Sequence, residues 1–590
     1  MSTNDIEKQE STSKRTIQVD RIFSRKDYQW HFVKSKPPSK EDRFKKYALV
    51  VRRTILFDGT PGKTFVELRS SHLAKVFRSI LKGVECNGLR LKPPTFKVEI
   101  LFLVAPLLNA HLAEEEDRGV LDLQTSDDIK EVLTFVDSYY GPKKQEIESF
   151  HANGEIIYEY LWTLFPPGCE VLQRLGLKNE SQALKFIKYY LIRASMINHN
   201  GDKLGWGVVK LKIPIFSQAK PITSLPVFPL KFCLHGSKVQ RDLKERGKRY
   251  LDYSKPTCRE YDGIGVEMKL EGDNWKEKRF YTSGRVMIDP ITFKMNCPDS
   301  ELLELDIAEE IESDNVTDDD LIFCNHRALG FSFATKTWGG FAVSKLQEVT
   351  WDITAIDKLI IDGKRRHIIT SLIKGHKSDQ SKFDDIVQGK GKGLVGLFSG
   401  PPRTGKTLTA EVVAEMSKRA LYTVTVSELG TEAKGLDESL DRIMSTARRW
   451  GCVVLIDEAD IFLRKRKDDD KGQNALVSVF LRRLEYFHGI IILTTNRLKD
   501  MDDAFRSRIH FKFHYPPLTH SDRVGIWRNF LPGFTEADLN TLAPIEINGR
   551  EIKNAVACTT TICGVIEEPL SVGALKDSLE TYAGWEESQE

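Results

Sequence analysis

The stretch Gly400-Pro-Pro-Arg-Thr-Gly-Lys-Thr407 constrains this chain more than any other, because it dictates both a local backbone and a ligand chemistry. It has the pattern G-x-x-x-x-G-K-[ST] of a loop whose backbone N–H groups cradle phosphates. The apolar run Leu394–Ser399 before it predicts a buried parallel strand. The run Leu408–Met416 after it carries apolar residues at helical spacing. Gly400 and Gly405 let the backbone curl so that its N–H groups face inward, and the helix N-terminus adds its positive dipole end. Lys406 is predicted to reach the β- and γ-phosphates of a nucleotide, and the Thr407 hydroxyl to bind Mg²⁺.

A second motif follows. Cys452-Val-Val-Leu-Ile-Asp457-Glu458-Ala-Asp460 reads as an apolar strand ending in carboxylates. Asp457 is predicted to hold Mg²⁺, directly or through water, and Glu458 to act as general base toward an attacking water. A strand ending in acids is common by itself. Placed about fifty residues after a phosphate loop, it marks a nucleotide hydrolase. The order of apolar runs at Leu394, Leu421, Val453 and Ile490, with helical patterns between them and a last strand over Ile509–Tyr515, predicts a doubly wound parallel α/β sheet. Pro516-Pro517 then ends the sheet, and the ligand belongs at the carboxyl ends of its strands.

With these motifs in place, residues 384–590 resemble the AAA+ ATPases, which are ring-forming machines. Asp385-Ile386-Val387, with Gly389–Gly393, is similar to the family's adenine-contacting segment. The resemblance extends nucleotide contact to Pro401, Pro402, Arg403, Thr404 and Leu408. Asn496, closing the run Gly489–Asn496, sits where the family has sensor 1. Asp503-Ala-Phe-Arg506-Ser-Arg508 matches the arginine-finger segment, with Arg508 the better finger. Asn548-Gly549-Arg550 is similar to a sensor 2 arginine. For each arginine the alternative is a surface salt bridge. The resemblance implies an ATPase core over 384–518, a helical lid over 519–590, ATP and Mg²⁺ as cofactors, a self-assembled ring (a hexamer by analogy) and an unidentified protein client. Trp338-Gly-Gly-Phe-Ala-Val-Ser-Lys-Leu346 and Phe480–Glu485 further resemble a fungal AAA+ group with a long N-terminal region.

Two departures stand out. Arg403 replaces the glycine usual in the middle of the loop, which costs backbone freedom but places a cation by the phosphates. The stretch Glu428–Leu436, where unfoldases of the family carry a peptide-gripping aromatic, has none. A slow nucleotide-dependent switch therefore stands as the alternative to a remodelling ATPase.

The remainder of the chain sets bounds. A net charge of +3 over 590 residues makes no field that would gather nucleic acid, and no nucleic-acid-binding module is visible. The nine cysteines contain no Cys-x-x-Cys pair, which suggests a reducing, intracellular and expectedly cytoplasmic setting. Cys324-Asn-His326 reads as a buried thiol beside a surface histidine rather than a zinc site. Residues 1–26 read as a disordered tail without a signal-peptide core. The longest apolar run, Ile100–Leu108, is too short to span a bilayer and reads as a core strand or buried turn. Residues 27–350 read as a mixed α+β region, divisible into two subdomains, and 351–383 as a helical linker. Within the mixed region we expect helices over 71–82, over 126–140 with Ser126 as N-cap, and over 240–251. Strands are expected over 208–213, 228–234 and 285–289, and an exposed acidic loop over 302–320.

Overall fold

The apolar runs near Leu394, Leu421, Val453 and Ile490 each form a strand, and together with Phe511–His514 they pair in parallel throughout. The computed structural model describes residues 16–24, 29–32, 44, 46–55, 61–81, 87–118, 122–166, 168–173, 189–271, 274–303, 307–377, 393–467 and 470–586. From edge to edge the sheet runs Leu421–Val424, Val453–Ile456, Ile490–Thr495, Leu394–Ser399, Phe511–His514. Its short apolar strands are covered on both faces, as a parallel sheet requires. Leu436, Leu440, Ile443, Val477 and Phe480 pack on one side. Val412, Val413, Ile356, Leu359 and Ile369 pack on the other. The helices Ala355–Lys358 and Gly363–Lys377 of the predicted linker thus belong to the core packing.

Beyond Pro516-Pro517 come the helices His520–Phe530, Glu536–Leu542, Gly549–Ile566 and Val572–Glu586, around a core of Val524, Trp527, Leu539, Ile552 and Leu575. Three of these helices begin at a capping box visible in the sequence: Thr519 with Asp522, Thr535 with Asp538, and Asn548 with Glu551.

The chain divides into two compact units, one of residues up to 195 plus 208–242, the other of 196–207 plus 243–590. The second unit holds the parallel sheet, the C-terminal helices and an antiparallel sheet. In that sheet the long hairpin Thr257–Glu271/Asn274–Ile288 pairs with Arg327–Ser332 and Thr337–Ala342, and the pairing Val266–Gly340 closes the strands on themselves. Trp338, on the stretch singled out in the sequence, packs 5.6 Å from Trp450, at the end of helix Ala433–Trp450 beside the parallel sheet, with Phe331, Phe333 and Tyr422 around it. Asp289, buried beside them, accepts from Arg449 Nε at 2.7 Å and Trp450 Nε1 at 2.9 Å. Burial alone would raise its carboxyl pKa, but the bonds from Arg449, Thr292 and Trp450 win and hold it below the ordinary value.

The first unit has a sheet in the order Gln29–Phe32, Thr16–Ser24, Leu49–Ile55, Pro61–Leu68, Thr95–Lys97, with helices Ser71–Ile80, Glu99–Arg118 and Leu123–Ala152. Several expectations change here. Residues 16–24, assigned to the tail, form a strand parallel to Leu49–Thr54; residues 1–15 lie outside the described residues. Ile100–Leu108 is helical, not a strand. Leu101, Val104 and Leu108 are its fully buried positions, at helical spacing, and Pro106 falls on the exposed side. The next helix begins at Leu123 behind Asp122, so Ser126 is a buried residue within the helix rather than its cap. Of Phe228–Leu234 only Phe228 and Pro229 are strand, the end of Val227–Pro229, followed by a 3-10 turn.

In the second unit, the acidic stretch 302–320 contains the strand Ile307–Glu310, which pairs with Gly205–Gly207. His326 is half-buried rather than a surface residue. Its Nε2 is buried without a partner, and burial, with Arg327 and Arg246 nearby, pulls its pKa down to about 3. Among the described residues no helix is long and apolar enough to cross a membrane.

Candidate functional site

The phosphate loop leaves the carboxyl end of Leu394–Ser399, beside the central strand Ile490–Thr495, where ligands of doubly wound sheets bind. Gly400 has φ +143°, and a Cβ there would lie 2.1 Å from the Tyr515 carbonyl oxygen, so only glycine fits. Gly405, at φ +96°, turns the chain into the helix Lys406–Ser417. Pro401, Pro402, Arg403 and Leu408 are exposed around the loop. Thr404 donates to the Pro401 carbonyl at 2.9 Å and braces it.

Lys406 is buried. Its Nζ donates to the carbonyls of Gly400 at 2.9 Å and Pro401 at 2.6 Å, and to Asn496 Oδ1 at 2.9 Å. Burial lowers its pKa, and Asp457, Asp460 and Glu458 oppose that shift. The lysine and the sensor-position asparagine, ninety residues apart in sequence, are therefore in direct contact.

Thr407 and Asp457 also meet. The Thr407 hydroxyl lies 3.3 and 3.2 Å from the two Asp457 carboxylate oxygens. Glu458 follows at φ +55°, a backbone angle side chains rarely adopt, and stands exposed at the end of the strand. Thr494 organises this corner: its hydroxyl donates to Asp457 and accepts the Glu458 N–H at 2.9 Å. Asp460 accepts the Asn496 N–H at 3.1 Å and the Thr495 hydroxyl, which fixes the backbone at Asn496. Neither Thr494 nor Asp460 was given a role from the sequence, although both lie inside the motifs quoted there. The signal available was hydroxyl and carboxylate types at the carboxyl ends of two adjacent strands.

The remaining site residues fall as follows. Asp385 and Ile386 lie outside the described residues. Arg508 donates to Glu485 at 3.2 Å and to the Ala504 carbonyl at 2.9 Å, its side chain 28% exposed. Arg506 is 70% exposed and pairs with Asp503. Arg550 is exposed at the start of the lid helix Gly549–Ile566. Glu411, on the helix after the phosphate loop, has its carboxyl pKa raised by desolvation, a rise that the charges of Lys553 and Arg550 oppose.

Residues 396–517 match the family model "ATPase family associated with various cellular activities (AAA)". Residues 146–234 match a domain of unknown function, DUF7025. The chain thus carries an AAA-family ATPase domain.

Among curated proteins, the ATPase family AAA domain-containing protein FIGL1 of Arabidopsis thaliana is 29% identical over 208 residues, 32% of this chain and 30% of that protein. The 26S proteasome regulatory subunit 8 homolog of Encephalitozoon cuniculi is 30% identical over 197 residues, 30% of this chain and 48% of that protein. The outer mitochondrial transmembrane helix translocase of Danio rerio is 28% identical over 196 residues, 32% of this chain and 50% of that protein. The chain spans about a third to a half of the length of these relatives. A crystal structure of the FIGL-1 AAA domain in complex with ADP aligns at 20% identity and a TM-score of 0.31, over 41% of this chain and 92% of that one.

Proposed function

We propose that this chain hydrolyses ATP with Mg²⁺ and uses the cycle to remodel a protein partner. The observation that carries the reading is the convergence of Lys406, Thr407, Asp457 and Asn496 at the carboxyl ends of adjacent strands. Thr407 and Asp457 fit a magnesium ion: both present oxygen donors, and they already meet at one point. They would hold the ion, which supplies charge neutralisation at the β- and γ-phosphates when bound.

Lys406, now bonded to its own loop's carbonyls, turns to the terminal phosphates. Glu458 takes the proton of the attacking water, and Asn496 positions that water. Lys406 and Arg508 of a second copy stabilise the charge that develops on the phosphoryl group. For that role Arg508 must exchange its Glu485 pairing for the neighbour's site in a ring. The likeness of Trp338–Leu346 to a fungal AAA+ group belongs to the same proposal.

One observation favours a second reading, a slow nucleotide-dependent switch that does not thread peptide. The segment lacking the pore aromatic is held in the chain's own fold: Glu428 accepts from Lys336 at 2.8 Å and closes a capping box with Thr425. Turnover measured with and without candidate clients separates the two, since a remodeller is stimulated by its client and a slow switch is not.

The shared premise is tested by Lys406→Ala. Removing the buried cation of the loop should abolish ATP binding in an equilibrium titration, while the protein stays folded. Retained affinity would show that the nucleotide, if any, binds elsewhere.

A further inference from the structure

Arg403 is the residue the phosphate-loop pattern does not explain. It holds φ +66°, the left-handed region that disfavours side chains, at a position where the family's loop usually has glycine although the pattern leaves it free. Strained residues of this kind persist where the surrounding fold holds them, and they cluster at ligand clamps. The holding contact here is specific. Arg403 Nη1 donates to Glu551 Oε1 at 2.6 Å, across 148 positions of sequence. Glu551 is already committed at its other oxygen. Oε2 accepts the Asn548 N–H at 2.9 Å, in the capping box that starts the lid helix Gly549–Ile566. One carboxylate therefore ties the phosphate loop to the first turn of the lid. Arg550 precedes Glu551 directly, exposed in the first turn of the same helix.

We propose that Arg403 and Glu551 form a strut within a single chain that sets the lid helix, and with it Arg550, against the phosphate loop, and so tightens nucleotide binding. The inference rests on the nucleotide-site reading above. Arg403 acts here as a positioning residue, through Glu551, and not as a cation on the phosphates. The side chains of the pair are 54% and 34% exposed, so its contribution is of the size of a surface pair, a few-fold in affinity and not orders of magnitude.

The competing role, direct contact of Arg403 with a phosphate, predicts the opposite sign at one position. Glu551 would then compete with the nucleotide for the guanidinium, and Glu551→Gln would tighten binding. In the strut, Glu551→Gln weakens it. Glutamine retains the capping bond to Asn548, so the helix start is preserved in this variant.

The test is an equilibrium titration of the full chain with Mg-ATP, in wild type, Arg403→Gly, Glu551→Gln, the double variant and Arg403→Lys. We expect each single loss variant to weaken binding by about fivefold. The double variant should be no weaker than either single one, because both remove one interaction. Arg403→Lys, which keeps the pairing charge, should recover most of the affinity. Unchanged or tighter binding in Glu551→Gln overturns the strut, as does a double variant that loses the product of the two single effects. A wild-type protein that does not bind Mg-ATP overturns the nucleotide-site reading itself and the strut with it. Failure of the strut alone is recognised by normal wild-type binding.

Discussion

Two residues of the site, Arg403 and Glu458, stand at left-handed backbone angles although neither is glycine. Each follows the carboxyl end of a parallel strand, where the chain must turn sharply to present a side chain to the cleft. At Glu458 the turn is held by the Thr494 hydroxyl, which fixes both its N–H and the Asp457 carboxylate. A different residue-scale feature makes a pH prediction. His326 ordinarily titrates near 6.5, and its burial lowers this to about 3 in the fold. Between those values the unfolded chain binds the proton and the folded chain does not. Stability is therefore unaffected above pH 6.5 and falls as the pH drops toward 3, by at most about 1.4 kcal/mol per pH unit from this group. His326→Phe should flatten the fall in urea midpoint between pH 7.5 and 5. An unchanged slope would show that other groups carry the acid sensitivity.

At the scale of elements, the motifs of the ATPase core were legible because local chemistry dictates them. Glycines at Gly400 and Gly405 are demanded by backbone angle and space, and apolar strands ending in polar residues are readable one at a time. Period is harder to read in short apolar runs. Ile100–Leu108 has the composition of a strand, and only the burial of Leu101, Val104 and Leu108 on one face reveals a helix. Contacts between distant segments were not legible at all: nothing local marks Arg403 as the partner of Glu551, or Asp289 as the partner of Arg449 and Trp450. That last cluster joins the antiparallel sheet to the ATPase core within one unit. Asp289 is 1% exposed, and its removal leaves the Trp450 N–H, the Thr292 N–H and Arg449 without their acceptor. We expect Asp289→Ala to destabilise the unit by about 3 kcal/mol or more, seen as a lower denaturant midpoint. Asp289→Asn, which keeps acceptor capacity on one oxygen, should lose less. Equal losses would mean that the carboxylate charge, and not the bonding pattern, is what matters.

At the scale of the whole molecule, the proposed function places ATP hydrolysis at one site built from Lys406, Thr407, Asp457, Glu458 and Asn496, completed by Arg508 of a neighbouring copy. Phosphate release from saturating Mg-ATP tests this directly, in wild type, Glu458→Gln, Arg508→Ala and a mixture of the two variants, after sedimentation has shown that mixed assemblies form. Glu458→Gln is expected to bind ATP but release almost no phosphate. The same is expected for Arg508→Ala alone, with partial recovery in the mixture, where a site with Glu458 intact can border a copy with Arg508 intact. Recovery absent from proven mixed assemblies contradicts the shared site, and phosphate release by Glu458→Gln near the wild-type rate contradicts the central claim that Glu458 is the base.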